Sequence, residues 1–227
     1  ALLTNRQVAR IRIKNGRAHA VETVSGEVIS ARQEIILCQG AFGTPQLLML
    51  SGIGPAEHLR DHGIAPIVDL PGVGDNLADH VDVSIQYGSH FAELSHARHQ
   101  RLDRAATLMA RWLMNGSGPG GGSLFSVVLF NAAGDRELPE TQVFMTPMII
   151  DENLGNGCDE HTPLMQRLGR RLLVRGRKVA RPGVQIDINL ERPKSLGTVR
   201  LRDANPVSHP AIDPNFLSSP QDIQELV

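Results

Sequence analysis

Two cysteines are too few, and Cys38 and Cys158 too far apart, for a disulfide framework or the paired thiolates of a structural zinc site. Aromatic side chains are equally scarce. Trp112 and Tyr87 are the single members of their kinds, which offers few faces for an aromatic cage around a quaternary ammonium group and none interleaved with basic residues for stacking nucleic-acid bases. No apolar run approaches the roughly eighteen residues of a membrane span. Basic and acidic residues nearly cancel, 23 against 24, so no single-sign field gathers nucleic acid or an anionic membrane surface. An initiating methionine and a charged, apolar leader are also missing: the chain enters on ALLTNRQVARIRIKNG. It reads as a piece of a longer polypeptide, with a cytoplasmic location as the default expectation.

What is present is an ordinary globular composition. With 41% hydrophobic residues in 227 positions, the chain is long enough for one large domain or two small ones with sizeable cores. Residues 8 to 14, VARIRIK, alternate Ile11 and Ile13 with Arg10, Arg12 and Lys14, the period of a strand with one buried face. Asn15-Gly16 supplies a tight hairpin turn, and RAHAVETV returns as the partner strand. EVISA is a further strand. EIILC, residues 34 to 38, is an unbroken apolar run of the kind buried on both faces of a parallel sheet.

Beyond it, Pro45 opens a helical turn through QLLML, and PAEHLRDH forms a second short helix that starts at Pro55 and stops at Gly63. GIAPIVDLPGVGDNLADH reads as a strand followed by a glycine-rich turn. Residues 97 to 114 place Leu102, Ala105, Ala106, Met109 and Leu113 at helical spacing, and NGSGPGGGS ends that helix in a loop. TQVFMTPMII, GVQIDINLERP and LGTVRLRD are strand-like, and SPQDIQELV begins a helix capped by Ser219 with Pro220 in its first position.

The stretch GAFGTPQLLMLSGIGP, residues 40 to 55, concentrates glycine and proline around an apolar patch. A strand running into Gly-x-x-Gly and a helix is one way that α/β sheets bring a cofactor against bare backbone. On pattern alone the glycines read as turn and packing devices, since GAFG lacks the three-glycine dinucleotide fingerprint. The whole stretch, however, closely resembles the second signature of the glucose-methanol-choline (GMC) flavoprotein oxidoreductases. Gly40, Thr44, Pro45, Leu47, Leu48, Ser51, Gly52, Ile53 and Gly54 stand where that motif expects them. EIILCQGA resembles the strand entering the motif, and DLPGVGDNLADH its continuation, with Ala78 where Gln is common. TQVFMTP and RPKSLGTVRLRDANPVSHPAIDPNFLSSPQDI resemble later strands, with Leu196 where Arg is usual. The likeness is weakest over residues 89–130 and 151–183.

The resemblance implies a parent enzyme that binds FAD and oxidises a small-molecule alcohol by hydride transfer to the flavin. The implied fold is α/β to α+β, with residues 1–80 the carboxy-terminal part of the FAD-binding domain, a parallel-sheet remnant. Residues 81–227 are then part of a substrate-binding domain of antiparallel sheet and helices. Val8, Gly40 and Ala41 stand at cofactor-neighbouring positions of the family. Its amino-terminal β-α-β fold with the phosphate loop is not among these residues, and its catalytic histidine belongs to a segment expected beyond Val227. No catalytic or metal-binding residue is therefore assigned here, and the piece alone is expected neither to hold FAD tightly nor to turn over substrate. Two alternatives are a noncatalytic remnant that binds a partner and an FAD-dependent lyase on the same scaffold. Self-association through surfaces exposed by truncation is expected.

Several residues tempt a different reading. His58 and His62 have the spacing of metal ligands on a helix but lack the glutamate of a metalloprotease motif, and are read as a solvated helix face. His96 and His99 receive the same reading. Asp79, His80 and Asp82 are read as a structural hydrogen-bond group rather than a proton relay. Residues 167 to 181 hold seven basic and no acidic side chains, read as a surface segment rather than a nucleic-acid site.

Overall fold

The computed structural model describes residues 2–90, 95–96, 102–118, 121–122, 125–132, 138–150 and 180–227. The basic segment before residue 180, His99 and Cys158 lie outside the described residues. The chain divides into two compact units. Unit 1 comprises Ala1–Asp79 together with Pro193–Gln224, and unit 2 comprises His80–Arg192 with Glu225–Val227.

Unit 1 begins with the expected hairpin. Strands β1 (Val8–Lys14) and β2 (Arg17–Thr23) pair antiparallel around Asn15 and Gly16, both at positive φ, and β3 (Val28–Ser30) adds to β2. Ile11 is buried while Arg10 and Arg12 stay outside and share Glu22, with Arg10 Nε and Arg12 Nε at 2.9 and 2.8 Å from its Oε2. The run EIILC departs from expectation: it forms no strand, and Ile36 is 74% exposed. An extended segment becomes a buried strand only when neighbours take up its N–H and C=O groups, and the described residues supply none.

Helix α1 (Gly40–Leu50) starts five residues earlier than expected and carries Pro45 inside it. It ends at Ser51, whose Oγ donates to the Leu47 carbonyl at 2.6 Å and accepts the Ile11 N–H at 2.8 Å, pinning the helix to β1. The next residue, Gly52, lies at φ +83°, and a Cβ there would stand 2.8 Å from the Ala65 carbonyl oxygen. That freedom lets the chain reverse into β4 (Ile53–Gly54), which pairs parallel with β5 (Val68–Asp69) across helix α2 (Ala56–Asp61). Met49, Leu59, Val73 and Leu201 close the core of this unit. Burying a side chain such as Met49 or Leu59 completely is worth about 1.5–3 kcal/mol.

Unit 2 is built on an antiparallel sheet of order β6-β11-β8-β7, formed by β6 (Asp82–Gly88), β7 (Val127–Asn131), β8 (Thr141–Thr146) and β11 (Gly183–Leu190). The short pair β9 (Ile149–Ile150) and β10 (Ala180–Arg181) lies beside it in sequence. Directly opposed residues share a face, so the register Ile85–Ile186–Met145–Val127 and Val83–Ile188–Val143–Leu129 makes two apolar rows on one face, followed by Leu190 with Thr141 and Asn131. The other carries Ser84, Gln86, Gln185, Asp187 and Thr146 beside Phe144. In the two central strands the polar side is the more buried: Gln185, Asp187 and Thr146 are buried, whereas Ile186, Ile188, Val143 and Met145 are half-buried, and the edge strands β6 and β7 are exposed on both faces.

Helix α3 (Leu102–Asn115) forms as the spacing predicts, but Met109 and Leu113 remain exposed. The chain then returns to unit 1 through β12 (Thr198–Arg200), β13 (Ala211–Asp213) and α4 (Pro220–Leu226), with Pro220 first in the helix as expected.

Candidate functional site

The site in unit 1 grows from the start of α1. Gln39 precedes the helix without a side-chain capping bond, and the first-turn N–H groups of any helix lack intrahelical partners. Pro45, having no N–H, cannot serve the Ala41 carbonyl four residues back. Backbone donors of the first turn and a carbonyl without its i+4 donor therefore meet at one turn. Against this turn lies a cavity of about 360 Å³ lined by Ala41, Pro45, the run Gly74–Ala78 and Val199, a volume near the lower end of the range for small-molecule pockets, about 300–1,000 Å³.

The lip of the cavity is fixed by β12. Val199 N–H donates to the Gly74 carbonyl at 2.6 Å, and Leu77 and Gly197 exchange N–H···O bonds of 3.0 and 2.7 Å. Gly74 sits at φ +78°, and any Cβ there would overlap the Val199 carbonyl oxygen, so this close approach requires glycine. Arg200 pairs with Asp75 and donates to the Val73 and Val199 carbonyls at 3.4 and 3.2 Å. Asn76 is held at φ +59°.

Among the residues singled out by sequence, Ala41 lines the cavity and Gly40 is the exposed residue that begins α1. Val8 opens β1 opposite Thr23 and is half-buried. Neither Val8 nor Gly40 lines the cavity. The pairing of Asp75 with Arg200 had no sequence signal, because 125 positions separate them.

The reading of His58 and His62 as a solvated face needs correction. His58 is half-buried, its Nε2 accepts the Leu201 N–H at 3.0 Å, and its carbonyl oxygen lies 2.9 Å from His62 Nδ1. Leu201 brings its N–H to the helix, and an amide leaving water demands an acceptor. Burial, followed by the nearby His62 and Arg200, lowers the His58 pKa, while Asp61 opposes them. No group of three metal-ligating side chains gathers among the described residues. In unit 2, His80 Nδ1 lies 3.8 Å from Glu191 Oε1.

The spacing Gly-x-Gly-x-x-Gly occurs once, at Gly116 to Gly121. It follows α3 instead of closing a strand, so it does not have the context of a phosphate loop.

This arrangement has the fold of FAD-dependent oxidoreductases. A solved FAD-dependent oxidoreductase from Chaetomium thermophilum superposes with a TM-score of 0.66 at 22% identity, covering 99% of this chain and 42% of its own. A formate oxidase from Aspergillus oryzae, studied for its FAD modification, gives 0.69 at 26% identity over 97% of this chain and 41% of its own. Residues 1–82 match the amino-terminal family model of the GMC oxidoreductases. The chain belongs to that family.

Curated relatives include oxygen-dependent choline dehydrogenases of Serratia proteamaculans, 31% identical over 99% of this chain and 38% of the relative, and of Pseudomonas fluorescens, 33% identical over 86% and 31%. The chain thus spans roughly two fifths or less of the length of the curated relatives it matches. Among the described residues no helix is long and apolar enough to cross a membrane.

Proposed function

We propose that these residues belong to an FAD-dependent oxidoreductase acting on the CH–OH group of a small alcohol, and that unit 1 supplies one wall of its flavin site. The observation that carries this reading is the cavity where the uncapped start of α1 meets the Gly74–Ala78 lip. Its chemistry fits one edge of a flavin: backbone N–H donors at the first turn, the Ala41 carbonyl, and an apolar flank from Pro45 and Val199. When bound, FAD supplies the acceptor for the alcohol's hydride. The chain's own part is to present backbone groups to the ring edge and to hold the lip through Arg200 and Asp75. Val8, Gly40 and Ala41 are the proposed cofactor neighbours, and of these Ala41 lines the cavity. At about 360 Å³ the cavity takes a ring system rather than a whole dinucleotide, so the 227 residues alone hold FAD weakly and do not turn over alcohol.

The test is FAD titration of this chain beside the longer polypeptide that the reading implies, followed by flavin fluorescence and visible absorption. The longer protein binds FAD and is bleached by primary alcohols, and Ala41→Trp in it removes the flavin band. Retention of a full flavin complement by Ala41→Trp would sink the placement of the site. Micromolar binding by the 227 residues alone would show that the missing portions are dispensable.

A further inference from the structure

Three consecutive residues at the end of β12 tie the cavity lip to helix α2. Val199 N–H donates to the Gly74 carbonyl at 2.6 Å, the Arg200 guanidinium pairs with Asp75 and reaches the Val73 carbonyl, and Leu201 N–H donates to His58 Nε2 at 3.0 Å. For Nε2 to accept, the His58 ring must be neutral with its proton on Nδ1. Leu201 is buried in the core with Leu59 and Val73, so its N–H depends on the imidazole for a partner.

The charges around His58 are unequal. On its own helix the His62 ring stands 4.4 Å away between centroids, Asp61 lies beside it, and Glu57 and Arg60 are exposed. Asp69 of β5 accepts the Ala56 N–H at 3.0 Å at the helix start, and β12 contributes Arg200. Burial above all, then His62 and Arg200, disfavour the charged ring, and Asp61 favours it. A proton on Nε2 therefore acts twice: it removes the acceptor of Leu201, and it sets an imidazolium against Arg200 while Asp61 draws the charge back toward α2. We propose that His58 is a positioning residue for the cavity: its neutral ring holds β12 so that Val199 and Arg200 keep the Gly74–Ala78 lip in place, and its protonation loosens the lip and releases a ligand seated there. The identity of that ligand as a flavin edge rests on the proposed function; the control of the lip does not. Linkage makes the effect reciprocal, so a ligand that needs the closed lip opposes protonation of His58 by the same factor.

The first test is amide hydrogen exchange of the 227-residue chain without flavin at pH 7.5 and pH 5, expressed as protection factors so that the intrinsic pH dependence of exchange cancels. The Val199 and Leu201 amides lose about tenfold in protection at pH 5, and the β1–β2 hairpin amides lose clearly less. His58→Gln, whose side-chain oxygen accepts in place of Nε2 and does not titrate, keeps both amides protected at both pH values. His58→Ala leaves them poorly protected at both, and His62→Gln retains the parent's pH response. The second test follows FAD release from the longer protein by flavin fluorescence: release quickens about tenfold between pH 7.5 and pH 5 in the parent and stays slow in His58→Gln. Equal loss of protection in the hairpin, the mark of whole-unit unfolding, would overturn the proposal, as would a response in His58→Gln equal to that of the parent. Ala41→Trp judges the flavin site separately: if it retains its flavin, the proposed function fails, while the amide exchange still decides the role of His58.

Discussion

The N–H of Leu201 reaches the Nε2 of His58 at 3.0 Å, joining helix α2 to the strand that carries the cavity lip. Protonation of Nε2 removes the acceptor. Since the folded pKa of His58 lies below its ordinary value of 6.5, chiefly through burial, the bond's contribution is fully present above that value and is lost as pH falls through the lower folded one. Urea unfolding at pH 7.5 and pH 5 should show reduced stability at the lower pH, and His58→Ala should cost about 1–2 kcal/mol at pH 7.5 while flattening the pH dependence. An equal slope in the variant would remove His58 as its source.

Asp222 anchors the start of α4. Its carboxylate is fully buried and accepts the N–H groups of Lys194 and Ser195 at 2.7 and 2.8 Å. Burial pushes its pKa up, but the hydrogen bonds from Ser195 and Lys194 outweigh it and leave the group below the ordinary carboxylate value. Its stabilisation is therefore present above the unfolded value and is lost as pH falls through the folded one. Asp222→Ala should lower unfolding free energy by about 2–4 kcal/mol at pH 7, leaving two donors without acceptors. A loss below half a kcal/mol would mean that water replaces the carboxylate.

Gly74 and Gly26 share positive φ, +78° and +84°, but only Gly74 abuts a carbonyl oxygen. Alanine at Gly26 should cost about 1 kcal/mol from backbone strain, and alanine at Gly74 distinctly more. Thermal melts of the two variants decide it; equal losses would show that the lip yields to a methyl group.

Ile36 and Met49 are both apolar residues of the region that resembles the family signature and its entry, yet one is exposed and the other wholly buried. Ile36→Lys should change stability by less than about 0.5 kcal/mol, while Met49→Ala should cost about 2–5 kcal/mol. Strong destabilisation by Ile36→Lys would restore the buried strand that the sequence suggested.

Local signals were the legible ones. Asn15-Gly16 between alternating runs determines a hairpin without help from distant residues, and Ser219-Pro220 marks a helix start in the same way. The run EIILC misled because hydrophobicity states a preference for burial, whereas a strand also needs partners along both edges. Pro45 reads as a helix start because proline suits a first turn. The helix instead begins before it and continues through it, so that the Ala41 carbonyl lacks its i+4 donor. In residues 82–88 the alternation of Val83, Ile85 and Tyr87 with Ser84 and Gln86 was available to mark β6, but which face is buried depends on β11 and β8. The cavity lip required Arg200 to meet Asp75, an encounter that no local pattern encodes.

The return of Pro193–Gln224 to unit 1 has a consequence for biosynthesis. As the ribosome delivers the chain, the Asn15-Gly16 hairpin and helix α1 can form early, but Gly74 must wait for Val199 and His58 for Leu201. Closing such long loops costs entropy that only late contacts recover, which slows the final step and exposes Met49 and Leu59 in the interim. The strands of unit 2 are all translated before that closure, so their sheet is free to assemble while unit 1 is still incomplete.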